Sequence, residues 1–134
     1  MASRLRLSEK YHYDDFTESA YRKCLQLASA RYRFIAYPAY KDQGRVCMWR
    51  HDIDTSPQRA LALARIEAEE KVTSTFFFLF HSDRYNAFDY EIKEIMLALV
   101  NMGHSIGLHF DPMYYGNNIK NINDLEKYLI QEKD

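Results

Sequence analysis

The sequence predicts an α/β fold built on a parallel sheet, and two observations carry that reading. Three short apolar runs, "RVCMWRH", "TSTFFFLFH" and "HSIGLHF", alternate with two stretches of helical spacing. The connections between them are short, so consecutive strands are joined by crossover helices and run parallel as βαβαβ units. A length of 134 residues, 47% of them hydrophobic, suits a globular unit with a core of its own. Residues 1–44 read as an N-terminal helical segment and residues 45–134 as the α/β unit.

The elements follow in order. From Asp14 to about Arg33, Phe16, Ala20, Cys24, Leu27 and Ala28 recur at helical spacing, with Asp15 or Thr17 as the cap. Pro38 then breaks the helix, Gly44 turns the chain, and the first strand starts at Arg45. "SPQRALALARIEAEEKV" opens a crossover helix: Ser56 caps it, and Pro57 sits where its missing N–H costs nothing. Ala60, Leu61, Leu63, Ala64 and Ala68 form its apolar side, while Arg59, Glu67, Glu70 and Lys71 are expected to face solvent. "TSTFFFLFH" is too continuously hydrophobic for a half-exposed strand, so it reads as buried on both faces, with Phe76 to Phe80 in the core. "NAFDYEIKEIMLALVNMG" turns Ile92, Ile95, Met96 and Leu99 inward and stops at Gly103. After the third strand, "NINDLEKYLIQEKD" starts a last helix with Leu125, Tyr128 and Leu129 on its apolar face.

Composition narrows the function classes. A net charge of −1 gives no electrostatic case for nucleic acid or an acidic membrane surface. No stretch approaches the ~20 apolar residues of a membrane span, and "MASRLRLSEKYHYDD" lacks a signal-peptide core, so a cytoplasmic protein is expected. Cys24 and Cys47 lack metal-type spacing and are expected as buried free thiols. His12 is expected at the surface.

Parallel strands joined by helices place all their C-terminal ends along one edge, where α/β proteins build sites. The first strand ends in His51, Asp52 and Asp54. The second ends in His81, Ser82, Asp83 and Tyr85. The third ends in His109 and Asp111. Neutral imidazole with carboxylate is the ligand set of a borderline cation such as zinc, cobalt or nickel. Such a cation draws the pKa of a water it binds down to near ~7. Asp52 and Asp54, one residue apart on an extended chain, point the same way and repel. If one binds the cation and the other accepts a proton, each charge has a task. Blander readings stand beside this one. Asp54 could assist the helix start at Ser56. His104 and His51 fall on the strand faces opposite His109 and Asp52 by period-two alternation, which favours packed structural histidines. Gly107 permits close approach of a helix or of the site.

Taken in order, "HDID" at His51 to Asp54, "STFFF" at Ser74 to Phe78 and "GHSIGLH" at Gly103 to His109 resemble the motifs of the polysaccharide deacetylase family, also called nodulation-type or carbohydrate esterase family four. The run "HDID…STFFF…YN…GHSIGLHFD" looks most like its deacetylase-like branch from surface-polysaccharide gene clusters. The resemblance covers roughly Val46 to Pro112. It implies part of a deformed (β/α) barrel, with Asp52 as general base and Asp54 and His109 as ligands of a divalent metal, zinc above all. The family's second metal histidine falls at Met113 here, which leaves Asp111, or a residue outside this chain, to complete the shell. His81, Asp83 and Tyr85 are candidate substrate contacts. The family's later motifs, an Arg-containing loop, an Asp/Trp pair and a Leu-x-His general acid, have no counterpart after His109.

The activity this implies is a metal-dependent hydrolase that removes N-acetyl groups from a sugar or polysaccharide precursor. The alternative is a non-catalytic, truncated or diverged module acting in assembly or carbohydrate binding. Three parallel strands cannot close a barrel of about eight. A homo-oligomer, or a missing C-terminal half, is therefore expected.

Overall fold

The computed structural model describes residues 13–39, 41 and 44–134; His12 lies outside them. A short 3₁₀ turn, Tyr13–Phe16, leads into helix α1, Glu18–Ser29. Thr17 is the cap: its hydroxyl accepts the Ala20 N–H at 3.1 Å. Two-residue strands β1, Arg33–Phe34, and β2, Val46–Cys47, then pair in parallel. The expected first strand is thus divided at Met48, where it leaves β1, and resumes as β3, Trp49–Ile53. The pairing of β1 is not legible in the sequence, because two residues carry no alternation.

Helix α2, Pro57–Glu69, connects β3 to β4, Ser74–Leu79, and helix α3, Tyr90–Asn101, connects β4 to β5, Ser105–His109. The Ser56 hydroxyl accepts the Arg59 N–H at 3.3 Å, and Pro57 occupies the first turn. The sheet has the order β3–β4–β5 with both pairs parallel, which is the expected α/β arrangement. A four-residue helix α4, Pro112–Tyr115, and helix α5, Ile122–Lys133, complete the described chain. Among the described residues, no helix is long and apolar enough to cross a membrane.

Both crossover helices cover the same sheet face. Ile53, Phe76 and Phe78 meet Ala60 and Ala64 of α2 and Ile92, Ile95 and Leu99 of α3 in one core cluster. Burying each phenyl side chain contributes roughly 1.5–3 kcal/mol. A smaller cluster of Leu25, Ile66 and Val72 fastens α1 to α2. By register, the opposite face carries Arg50, Asp52, Phe77, Gly107 and His109. Here the structure corrects the reading of β4 as a strand covered on both sides. Phe77 and Leu79 are half-buried and Phe80 is exposed. The partial cover over Phe77 is Tyr37, edge-on at 5.2 Å. The two thiols are free as expected but not buried: Cys24 is exposed and Cys47 half-buried.

Candidate functional site

The ends of β3 and β5 bring three of the expected residues together. Asp54 Oδ1 lies 3.2 Å from His109 Nδ1, and Asp52 Oδ2 lies 4.0 Å from His109 Nε2. One imidazole is therefore flanked by a carboxylate on each ring nitrogen. Asp54 Oδ1 is within ion-pair distance but off hydrogen-bond geometry. His109 Nδ1 is consequently a buried ring nitrogen with no hydrogen-bond partner among the described residues. A buried polar atom left this way is costly unless something satisfies it. A cation shared with Asp54 would do so, and the N,O donor pair suits a borderline divalent metal. Among the described residues, no group of three or more His, Cys, Asp or Glu side chains is placed to hold a metal ion. Asp54 and His109 would supply two donors to such an ion.

Asp111 lies elsewhere. Its Oδ1 accepts the Met113 N–H at 2.9 Å and caps α4. It shares a cleft of about 580 Å³ with His81, Asp83, Tyr85 and Tyr114. His81 is stacked flat on Tyr114, ring centroids 3.7 Å apart. Asp83 is exposed beside Arg84 at 3.3 Å. The Tyr85 hydroxyl donates to the Ile53 carbonyl at 2.7 Å and accepts the Leu79 N–H at 2.8 Å, pinning the ends of β3 and β4. Burial raises its pKa above the usual phenol value.

Arg50 belongs to the site and was not singled out from the sequence. Its Nε sits 2.6 Å from Asp52 Oδ1, and its guanidinium lies 4.1 Å from the centre of the Phe77 ring. The hydrogen bond to Asp52 raises its pKa further. Period-two alternation would have found it, since Arg50 and Asp52 share a strand face.

The other sheet face holds a buried polar network around Glu67, expected at the surface but 0% exposed. His51 Nε2 lies 2.5 Å from Glu67 Oε1, and the Ser74 hydroxyl donates to Glu67 Oε2 at 2.5 Å. The Tyr21 hydroxyl also donates to Oε1 and accepts from Trp49 Nε1 at 3.0 Å. Burial pushes the Glu67 pKa up, but the bonds from His51, Ser74 and Tyr21 outweigh it and hold the carboxyl below its usual range. His104 closes the network. Its Nδ1 accepts the Ser74 N–H at 3.3 Å, which assigns its proton to Nε2, 3.0 Å from the Ala64 carbonyl. His51 and His104 are thus packed structural histidines on the face opposite Asp52 and His109.

Compared with known proteins, the chain matches no protein-family model, no curated protein and no solved structure.

Proposed function

We propose that Asp52, Asp54 and His109 form one side of a metal-dependent amide hydrolase site of the polysaccharide deacetylase type, acting on an N-acetylated sugar. The observation that carries this reading is the buried, unpartnered Nδ1 of His109 facing Asp54 Oδ1 at 3.2 Å. Asp54 and His109 would hold the cation. When bound, it supplies Lewis-acid polarisation of the amide carbonyl and acidifies water. Asp52 accepts a proton through Oδ2, the oxygen that faces His109, while Arg50 fixes the carboxylate through Oδ1. The sequential strand order, with both helices on one face, agrees with a segment of a (β/α) barrel whose inner face carries Asp52 and His109.

The test is zinc titration of the full chain by calorimetry. Wild type is expected to bind stoichiometrically, Asp54→Ala and His109→Ala to lose that binding, and His104→Ala to keep it. Equal retention in all variants would exclude the site. Asp52→Asn should keep zinc and lose deacetylation of N-acetylglucosamine oligomers, since proton transfer typically contributes ~10²–10⁴-fold.

Two observations favour a non-catalytic module instead. Met113, at the position of the family's second histidine, is exposed, and Asp111 Oδ1 is committed to a helix cap. A folded chain that binds saccharide but neither zinc nor cobalt would select that reading.

A further inference from the structure

The cleft behind the strand ends has a chemistry of its own. Two carboxylates, Asp83 and Asp111, line it together with Asn86 and Tyr114; among the described residues that line it there is no Lys or Arg, and the neighbouring Arg84 is paired with Asp83 at 3.3 Å. A phosphate or other anion would meet two carboxylates there and a guanidinium already engaged by one of them. Tyr114 is 58% exposed at this cleft, an aromatic surface that is already held in place. His81 backs its ring with the planes 1° apart, and Tyr115 meets it edge-on at 5.1 Å. Tyr115 is itself stacked on Tyr128 at 4.2 Å and donates its hydroxyl to Glu132 at 2.8 Å. Burial and that bond push its pKa up to about 12, so it stays a donor. A side chain fixed in this way loses little entropy when a ligand covers it.

An exposed aromatic ring beside hydrogen-bond acceptors, with the neighbouring Arg84 engaged by Asp83, suits a neutral ring with one apolar face and an edge of hydroxyls. We propose that this cleft is a saccharide subsite. Tyr114 stacks on the C–H face of a pyranose, and Asp83 and Asp111 accept hydrogen bonds from its hydroxyls. Asp111 keeps a second carboxylate oxygen for this beyond the one that caps Met113. The subsite adjoins the Asp54–His109 corner. Leu79, in the cleft wall, pairs with His109 across the sheet, and Tyr85 bonds the carbonyl one residue before Asp54. The proposal deepens the hydrolase reading and rests on it for the choice of an N-acetylated sugar.

The experiment titrates a tetramer of N-acetylglucosamine into the full chain, followed by amide chemical-shift changes and calorimetry, with zinc titrated separately. Wild type is expected to bind the tetramer. Tyr114→Ala should weaken binding about tenfold, Tyr114→Phe should stay within about twofold, and Asp54→Ala should bind the tetramer but not zinc. No binding by wild type, or equal binding by Tyr114→Ala, overturns the subsite. Tetramer binding through Tyr114 without zinc binding at Asp54 overturns the hydrolase reading alone. Should Tyr114→Ala be poorly folded, Tyr114→Leu, which keeps an apolar side chain without an aromatic face, must show the same weakening.

Discussion

Asp52 depends on a chain of side chains that ends at a glycine. Arg50 holds its carboxylate, Phe77 supports the guanidinium, and the Phe77 ring lies over Gly107 on the neighbouring strand. A Cβ at position 107 would sit 2.4 and 2.5 Å from two Phe77 ring carbons, well inside non-bonded contact distance. Gly107 is therefore required for ring room; its φ is not in the left-handed region. Gly107→Ala is expected to cost about 1–3 kcal/mol through overpacking. Phe77→Leu in the same chain should recover part of that loss, because the clash is with the ring. Denaturant unfolding of both single variants and the double variant measures this coupling. Strictly additive costs would show that the ring is not what excludes a side chain there. From the sequence, close approach at Gly107 was legible, but its partner was not, since strand register is a long-range property. Glu67 shows the converse. Glu67 is expected at the surface on its charge, although it stands at helical spacing from Ala60 and Ala64 on the buried stripe. Only the partners on three other elements, Tyr21, His51 and Ser74, reverse the preference of a charge for solvent.

At the scale of elements, the two crossover helices end alike. In α2 the Val72 N–H reaches the Glu67 carbonyl at 2.8 Å and the Lys71 N–H reaches Ala68 at 3.1 Å. In α3 the His104 N–H reaches Leu99 at 3.1 Å and the Gly103 N–H reaches Val100 at 2.9 Å. Both are Schellman endings, and both deliver a buried residue, Val72 or His104, to the start of the next strand. The left-handed position holds Gly103 at φ 91° in one and Lys71 at φ 59° in the other. Glycine adopts that backbone freely, while lysine pays a Cβ penalty. Lys71→Gly is therefore expected to stabilise the protein by about 0.5–1 kcal/mol, after allowing for the greater freedom of glycine in the unfolded chain. Gly103→Ala should destabilise by a similar or larger amount. A fall in melting temperature for Lys71→Gly would mean that the lysine side chain contributes something the turn geometry does not show. These boundaries explain why helices α2 and α3 and strands β4 and β5 were legible from sequence. Caps, Pro57 and Gly103 are local signals. The division of the first strand at Met48 and its pairing with Arg33–Phe34 depend on tertiary contacts, which no local pattern encodes.

Across the whole described molecule, one carboxylate joins parts that are otherwise far apart in the chain. Glu67 of α2 is bonded by Tyr21 of α1, by His51 of β3 and by Ser74 of β4, and through Ser74 it borders His104 beside β5. The surface pairs of Arg22 with Glu69 and Glu70 lie along the same α1–α2 joint but are solvent-screened and contribute little. Attachment of α1 therefore rests on the Leu25 cluster and on this network. Because the Glu67 pKa is held below the ordinary value of 4.5, the unfolded chain takes up this proton more readily than the folded one. The stability contributed by Glu67 is complete above about pH 4.5 and is lost as the pH falls through the folded-state value. Glu67→Gln should then lower stability near neutral pH by a few kcal/mol, of order 3, as buried partners are left unmatched. It should also flatten the acid limb of the stability curve, since the titrating group is gone. The single tryptophan gives a local readout, because Trp49 Nε1 is bonded to the Tyr21 hydroxyl. Urea unfolding at a series of pH values, followed by Trp49 fluorescence, should show wild type and variant converging at low pH and separating above it. Parallel curves at all pH values would place the acid sensitivity on other carboxylates and leave Glu67 a packing residue only.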